Sequence, residues 1–476
     1  MRFLISFLVS VLSFGSIIGQ EKLTSIENQK GQLQPWSENV RYWEYKGEPV
    51  LLLGGSKTDH LFLADDLLEH LNEIKKVGGN FVRNTMSQRE GLDLKPYALI
   101  KDSIFDLNQW NQDYWNRFEN MLKWTNERDI IVQIEVWDRF DYSQQFWEIS
   151  PWNPRLNINY DYKQVGFDEK YPRHPSQDVQ PFFHSIPGMP KYNKKIDAIY
   201  EYQEAFVNKM LSYSLHYGNV LYCMNNETMT DSKWGKHWIN FIKNKAKEKG
   251  VSVNTTDMFD DVHKGKTSIY APIIFNDGEH YSFADISQVN SRNFDDTHWH
   301  ELQWLLEQVN KKNPRPSNHT KIYGSGFSSF GSGSQEDGVE RFWRNILAGS
   351  AGVRFHRPFA GNGFNDRAKA SIKAGRLLES QMKLWELKPH MELLSNRLPN
   401  EAYLAAKPGE KYAVYFTNSG SVDLDLSKAQ GNFTLKWISI SEGTFYKKEE
   451  KIEGGKIVNI KAPFKGGWVA ALTKNN

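Results

Sequence analysis

The 476-residue sequence has a single cysteine, Cys223, so no internal disulfide can form. It sits inside an apolar run, where a thiol reads as core filler rather than nucleophile. After the first 20 residues no apolar stretch approaches the roughly 20 residues needed to cross a bilayer, so no membrane insertion is expected. Charge of one sign is also lacking. A net charge of +2 with no polybasic run gives no nucleic-acid signal. The glycines at 324–333 do not end in the Lys-Ser/Thr of a phosphate loop. His298 and His300 lie two apart on a helical segment and do not face one another, so a zinc site is not expected. No metal and no cofactor is therefore predicted. Aromatics are plentiful at 14%, with 16 Trp and 21 Tyr. Flat apolar faces suit sugar-binding clefts as well as cores, which leans the reading toward carbohydrate.

Residues 1–20 carry one Arg, an apolar run (Phe3–Phe14) and small residues near Gly15, Ser16 and Gly19. This pattern is that of a secretory leader, with no cysteine behind it for a lipid anchor, so a periplasmic or secreted protein is expected. The rest is too long for one core and should form a large and a small domain.

Strand and helix patterns then alternate. Val50–Gly55, Asn80–Met86, Ile130–Trp137, Val220–Glu227, Val251–Thr256, Ala284–Asn290, Lys321–Phe327 and Gly352–His356 read as strands. The apolar residues between them recur at helical spacing, as in Ile196–Tyr217, Trp234–Lys249, Asp295–Lys312 and Asp366–Leu387. Eight such units predict an α/β fold, a (β/α)8 TIM barrel over 21–395 with parallel strands. Asp138–Lys195, rich in Pro, Tyr, Trp and Phe, is too long for an ordinary connection and is read as a wall or lid over the barrel mouth. After Pro389 the pattern becomes short alternating runs separated by turn residues, which predicts a small C-terminal antiparallel β-sandwich over 396–476 with a structural role.

The most informative segment is Val220–Thr228 (VLYCMNNET), an apolar strand that ends in Asn225, Asn226 and Glu227. A Glu at the carboxyl end of a parallel strand points into the crevice where such barrels keep their chemistry. Asn-Glu ending the fourth strand resembles the acid/base signature of the clan A glycoside hydrolases. GEPVLLLGGS, GGNFVRNTMSQR and EDGVERFWRNILAGSAGVRFHRP resemble barrels of that kind, which bacterial genomes commonly pair with a β module called collagen-binding. KYAVYFTNSG, WISISEGTF and PFKGGWVAAL resemble that module. The resemblance implies a carbohydrate-active enzyme with Glu227 as acid/base, acting on an oligosaccharide. It is specific for architecture and says little about the reaction.

Retaining members of clan A place a second Glu at the end of strand seven, about 5 Å from the acid/base. Here the segment reads HTKIYGSGFSSFGSGSQEDG, with Lys321 or Tyr323 in that place and no acid before Glu336. Around them the sequence puts basic residues: Arg83 ends strand two, His356 and Arg357 end strand eight, and Lys57, His60 and Arg139 sit on adjacent loops. Such a mouth suits an anionic sugar, since Arg grips carboxylate or sulfate bidentately. Arg83, Asn226, Trp137, His356 and Arg357 are the predicted substrate contacts, and Glu227, Lys321 and Tyr323 the catalytic set. The combination favours β-elimination on a uronate, as in an algal polymer such as ulvan. Lys321 would take the C5 proton and Glu227 or Tyr323 would protonate the leaving oxygen, making the enzyme a lyase or an oligosaccharide dehydratase. Hydrolysis with Glu227 as acid/base and non-catalytic oligosaccharide binding are the alternatives.

Overall fold

A computed structural model describes residues 31–87, 94–446 and 448–475. The predicted leader lies outside them. Among the described residues, no helix is long and apolar enough to cross a membrane.

Eight parallel strands form one sheet: β1 (Leu52–Gly55), β2 (Phe81–Thr85), β3 (Ile131–Asp138), β4 (Val220–Asn226), β5 (Asn254–Thr256), β6 (Ala284–Asp285), β7 (Ser317–Ile322) and β8 (Gly352–Phe355). Their order, β5-β4-β3-β2-β1-β8-β7-β6, is that of a barrel opened at one seam. The seam between β5 and β6 is bridged by single bonds rather than a ladder. The Ser282 amide donates to the Thr255 carbonyl at 2.9 Å, and the Thr256 hydroxyl to the Phe283 carbonyl at 2.7 Å. One helix follows each strand: α1 (Leu67–Lys76), α2 (Gln112–Glu127), α3 (Asp197–Ser214), α4 (Ser232–Glu248), α5 (Ala271–Asn276), α6 (Asp295–Lys312), α7 (Gln335–Ala348) and α8 (Asp366–Gln381). The chain is thus a (β/α)8 barrel. Local chemistry sets the helix ends. Asn111 caps α2 by accepting from the Asp113 amide, and Ser334 and Asp337 form a reciprocal capping box on α7.

Two strands differ from expectation for traceable reasons. β7 runs Ser317–Ile322, not Lys321–Phe327. Its first five residues, SNHTK, are polar and so do not read as a core strand. Four of the five find side-chain partners that offset their burial: Asn318 accepts from the Trp43 indole, His319 meets Asn290, Thr320 donates to Asp285 and Lys321 to Glu227. β6 stops after two residues because the Asp285 carboxylate accepts from the Ser287 amide at 3.0 Å and turns the chain into a 3-10 segment, Ser287–Asn290. That turn aims Gln288 at the barrel mouth.

The tail contains β9 (Ala402–Lys407), β10 (Lys411–Phe416), β11 (Ser421–Asp425), β12 (Asn432–Ser439), β13 (Ile457–Lys461) and β14 (Trp468–Lys474). β9-β10-β14-β12 make the larger antiparallel sheet and β11-β13 the core of a smaller one. Lys388–Pro389 and Leu394–Ser395 pair into these sheets, so the β unit begins ahead of residue 396. Strand alternation divides the residues between two cores. Leu404, Val414, Phe416 and Trp437 pack between the two sheets. Tyr403, Tyr415, Ile438 and Val469 point the other way and join the barrel core, with Tyr415 stacked on Trp343 at 5.8 Å.

Candidate active site

The carboxyl ends of the strands surround a cavity of about 200 Å³. β4 delivers Asn226 and Glu227 to it. Glu227 has φ +54°, in the left-handed region that a long side chain rarely adopts. Such a residue costs on the order of 1–3 kcal/mol and persists only when its surroundings hold it. Here the next residue is clamped to the end of β5, with the Thr228 amide on the Met258 carbonyl at 2.8 Å and the Asp260 amide on the Thr228 carbonyl at 3.1 Å.

Glu227 reaches across to β6 and β7. Its Oε1 accepts from Lys321 Nζ at 2.5 Å, from the Tyr323 hydroxyl at 2.9 Å and from Gln288 Nε2 at 3.0 Å. All three donors share one oxygen, which leaves Oε2 without a protein donor among the described residues. The side chain remains 20% exposed. Burial pushes the Glu227 carboxyl up, but the Lys321 ammonium and the Tyr323 hydroxyl outweigh it and hold it well below the usual carboxylate range. Burial and the Glu227 charge push the Tyr323 phenol well up, so it stays a proton donor. Lys321 Nζ also donates to Asn226 Oδ1 at 2.5 Å, and Asn226 donates on to Asp138 at 3.0 Å, which fixes its amide.

The basic mouth expected from the sequence is largely neutralised. Arg83 is fully buried, with Nε on Glu135 at 2.6 Å and Nη1 on Asp59 at 2.7 Å. Arg357 reaches the same Asp59 at 3.2 Å while keeping a quarter of its side chain exposed. Burial, helped by Lys321 and Arg83, pushes His356 down to about 3 despite Asp59 nearby, so its imidazole is neutral. Lys57 is tied to Asp66 on the surface, His60 to Thr85, and Arg139 to Asp178 at 3.0 Å, and none of the three lines the cavity. Exposed Arg292 at the rim forms no carboxylate pair among the described residues.

Seven of the eight predicted site residues are brought together: Glu227, Lys321, Tyr323, Arg83, Asn226, His356 and Arg357 all line the cavity. Trp137 does not, which corrects its assignment as a substrate contact. β3 and β4 pair Asp138 with Asn226 and Trp137 with Asn225. Asn226 lines the cavity and donates to Asp138, so at this strand end Asp138 turns inward and Trp137 outward, out of step with the inward Gln133 and Glu135 further back. Its ring is buried among Phe182, Phe206, Trp234 and Trp238.

Asp59, Gln288 and Asp260 are among the cavity residues that the sequence reading did not name. Asp59 follows β1 and pairs with Arg83, Arg354 and Arg357; an acid just past a glycine-closed strand was the available signal. Gln288 depends on the Asp285 turn, which nothing in the sequence announces. Asp260 follows β5. Burial, and then the charge of Glu227, push its carboxyl up. The long connection supplies Phe140 and His174 to the rim, in keeping with a wall. Its order comes from ring packing, with Phe182 stacked on Tyr142 at 3.9 Å and edge-on to Trp152 at 5.1 Å.

By sequence, no protein family and no curated protein matches this chain. By structure it is similar to a glycoside hydrolase family 5 protein from Bacteroides vulgatus, with a TM-score of 0.63 at 15% identity over 94% of this chain and 93% of that one. It is also similar to a protein named only as a glycoside hydrolase, with a TM-score of 0.61 at 13% identity over 94% and 98% of the two chains. These likenesses span the barrel and the tail, and at such identities they establish the fold. None of these comparisons shows the tail's expected likeness to a collagen-binding module.

Proposed function

We propose that this chain is a carbohydrate-active enzyme whose chemistry runs on Glu227 at the barrel mouth. One observation carries the reading. A strained strand-end carboxylate, kept ionised by Lys321 and Tyr323, presents its second oxygen to a cavity at the face where TIM barrels work. An ionised Glu227 is placed to accept a proton first.

Glycosidic-bond hydrolysis is the reaction we favour, because it accords with the names of both structural neighbours. β7 lacks the nucleophile of a retaining enzyme, so the second carboxylate must come from elsewhere. Asp260 lines the same cavity and, unlike Asp59, is not held by arginines. Two carboxyls pushed apart by their surroundings divide naturally into base and acid. Glu227 would take a proton from water attacking the anomeric carbon, and Asp260 would give one to the leaving oxygen, with inversion.

Elimination is supported by a separate observation, the place of Lys321 and Tyr323 where a nucleophilic Glu would stand. Both groups donate toward Glu227, so the roles expected from the sequence exchange. The Glu227 carboxylate would take the C5 proton of a uronate, and Lys321 or Tyr323 would protonate the oxygen leaving C4. The C4–O bond breaks as the C4–C5 double bond forms. With Arg83, Arg357 and most other cations already paired, the case for a uronate rests on Arg292 at the rim.

Incubation with neutral and uronate oligosaccharides, followed by product masses and ultraviolet absorbance, tests both. Two fragments that together gain one water, with no new absorbance, support hydrolysis. Cleavage without that gain, or loss of water from the intact oligomer, together with a conjugated double bond, supports elimination. Unaltered saccharides throughout the panel overturn the proposal.

A further inference from the structure

Three phenylalanines stand in water at the edge of this cavity. Phe327 is 72% exposed, Phe330 58% and Phe359 49%, among the more exposed large apolar side chains of the barrel. They form one cluster, with Phe359 within 5.9 Å of each of the other two rings. Scattered exposed apolar residues need no explanation, but a contiguous patch beside a cleft does.

The loop carrying two of them, between β7 and α7, is held in a conformation that its side chains disfavour. Ser328 has φ +45° and Phe330 φ +60°, both in the left-handed region. A ring there is a genuine outlier, and the glycines on either side would have served that backbone at no steric cost. The loop's serines hold it in place. The hydroxyls of Ser325 and Ser329 both donate to the Phe359 carbonyl, at 3.0 and 2.6 Å, tying the β7 loop to the β8 loop. Arg341 Nη1 donates to the Ser332 carbonyl at 2.7 Å from beneath. The Ser/Gly composition thus builds a braced loop that presents aromatic faces.

Phe330 lines the same cavity as Glu227 and Lys321, and the Arg357 guanidinium lies 5.7 Å from the centre of the Phe359 ring. The patch is therefore continuous with the site. We infer that Phe327, Phe330 and Phe359 form a stacking platform for the apolar face of a sugar unit adjoining the one in the cavity, so that the protein selects oligosaccharides over monosaccharides. A pyranose carries a C–H face that removes ring surface from water while its rim hydroxyls stay solvated, which suits rings set at the border of a wet cleft. The inference rests on the carbohydrate reading above. It adds which residues set chain-length preference.

The test uses binding rather than turnover, so that it does not depend on the reaction. Glu227→Gln protein is titrated by calorimetry with mono- to tetrasaccharides of neutral and uronate type. The same titrations follow in Glu227→Gln with Phe327→Ala and Phe330→Ala added. Both rings point into solvent, and a melting curve checks that the fold is kept. The expected result is tighter binding of oligomers than monomers by the parent, and a loss of roughly tenfold in oligomer affinity in the loop variant that exceeds its loss in monomer affinity. Equal oligomer affinity in parent and variant overturns the platform while leaving the carbohydrate reading intact. Failure of the parent to bind any saccharide overturns both.

Discussion

The barrel mouth and the β-sandwich tail solve opposite problems with the same chain. The tail buries alternating apolar residues on both faces of its larger sheet, one face on the smaller sheet and the other on the barrel. Its described acidic groups with lowered proton affinity owe this to exposed local contacts, such as Asp423 with Asn459 and Glu453 with Lys456. The mouth gathers Arg83, Glu135, Asp59 and Lys321 in near-complete burial and keeps a left-handed, partly exposed glutamate, Glu227, among them. Stability in the tail comes from packing. In the mouth it is given up to hold charges that packing alone would exclude.

The contrast can be broken at four points. Arg83→Met should have the largest effect, costing about 3–5 kcal/mol, because Asp59 and Glu135 would be left buried without their shared cation. Chemical denaturation measures it, and a change below about 1 kcal/mol would mean that the acids protonate or hydrate at little cost. In the tail, Leu404→Ala should cost about 3 kcal/mol through a cavity between the sheets, yet leave kcat of the folded fraction unchanged. Loss of kcat with full stability would tie the tail to the chemistry.

Glu227→Gln should reverse that pattern, losing at least ~100-fold in activity with a melting temperature close to that of the parent protein. Wild-type turnover in this variant would remove the basis of the functional proposal. The smallest effect is the most specific. Glu227 is depressed chiefly by Lys321 against the pull of burial. Activity that needs it ionised is therefore present at neutral pH and lost only as pH falls well below the usual carboxylate range. Lys321→Met removes the cation, so the Glu227 carboxyl rises and the acid limb of kcat/KM against pH should move to higher pH. An unmoved limb would assign that ionisation to another group. A complete loss of activity with no profile to measure would instead make Lys321 a participant in proton transfer.

Much of the frame was legible because period carries it. The helical recurrence of Leu67, Leu71 and Ile74 and the apolar run before Asn225 are each sufficient to define an element. β6 and β7 were misjudged because their residues are polar and buried only through mutual bonds, as with Asp285, Ser287 and Thr320. Direction was illegible too. Trp137 and Asp138 are neighbours in sequence, and only tertiary contacts decide that Asp138 meets Asn226 while Trp137 packs on Trp234 and Trp238. Arg83, Lys321, His356 and Arg357 do line the mouth while Lys57, His60 and Arg139 do not, and the meaning of the first four depended on acids from elsewhere in the chain, Asp59 and Glu135.

The sequence by itself determined the alternation of strands and helices, the β tail and the Asn226–Glu227 strand end, because periodicity and local turn chemistry act over a few residues. Tertiary structure decided what those groups are. Lys321, Tyr323 and Gln288 lie 94, 96 and 61 positions from Glu227 along the chain and meet its carboxylate only when the barrel closes. The protonation of Glu227 is then set by that burial and those donors, and neither exists before the strands are side by side.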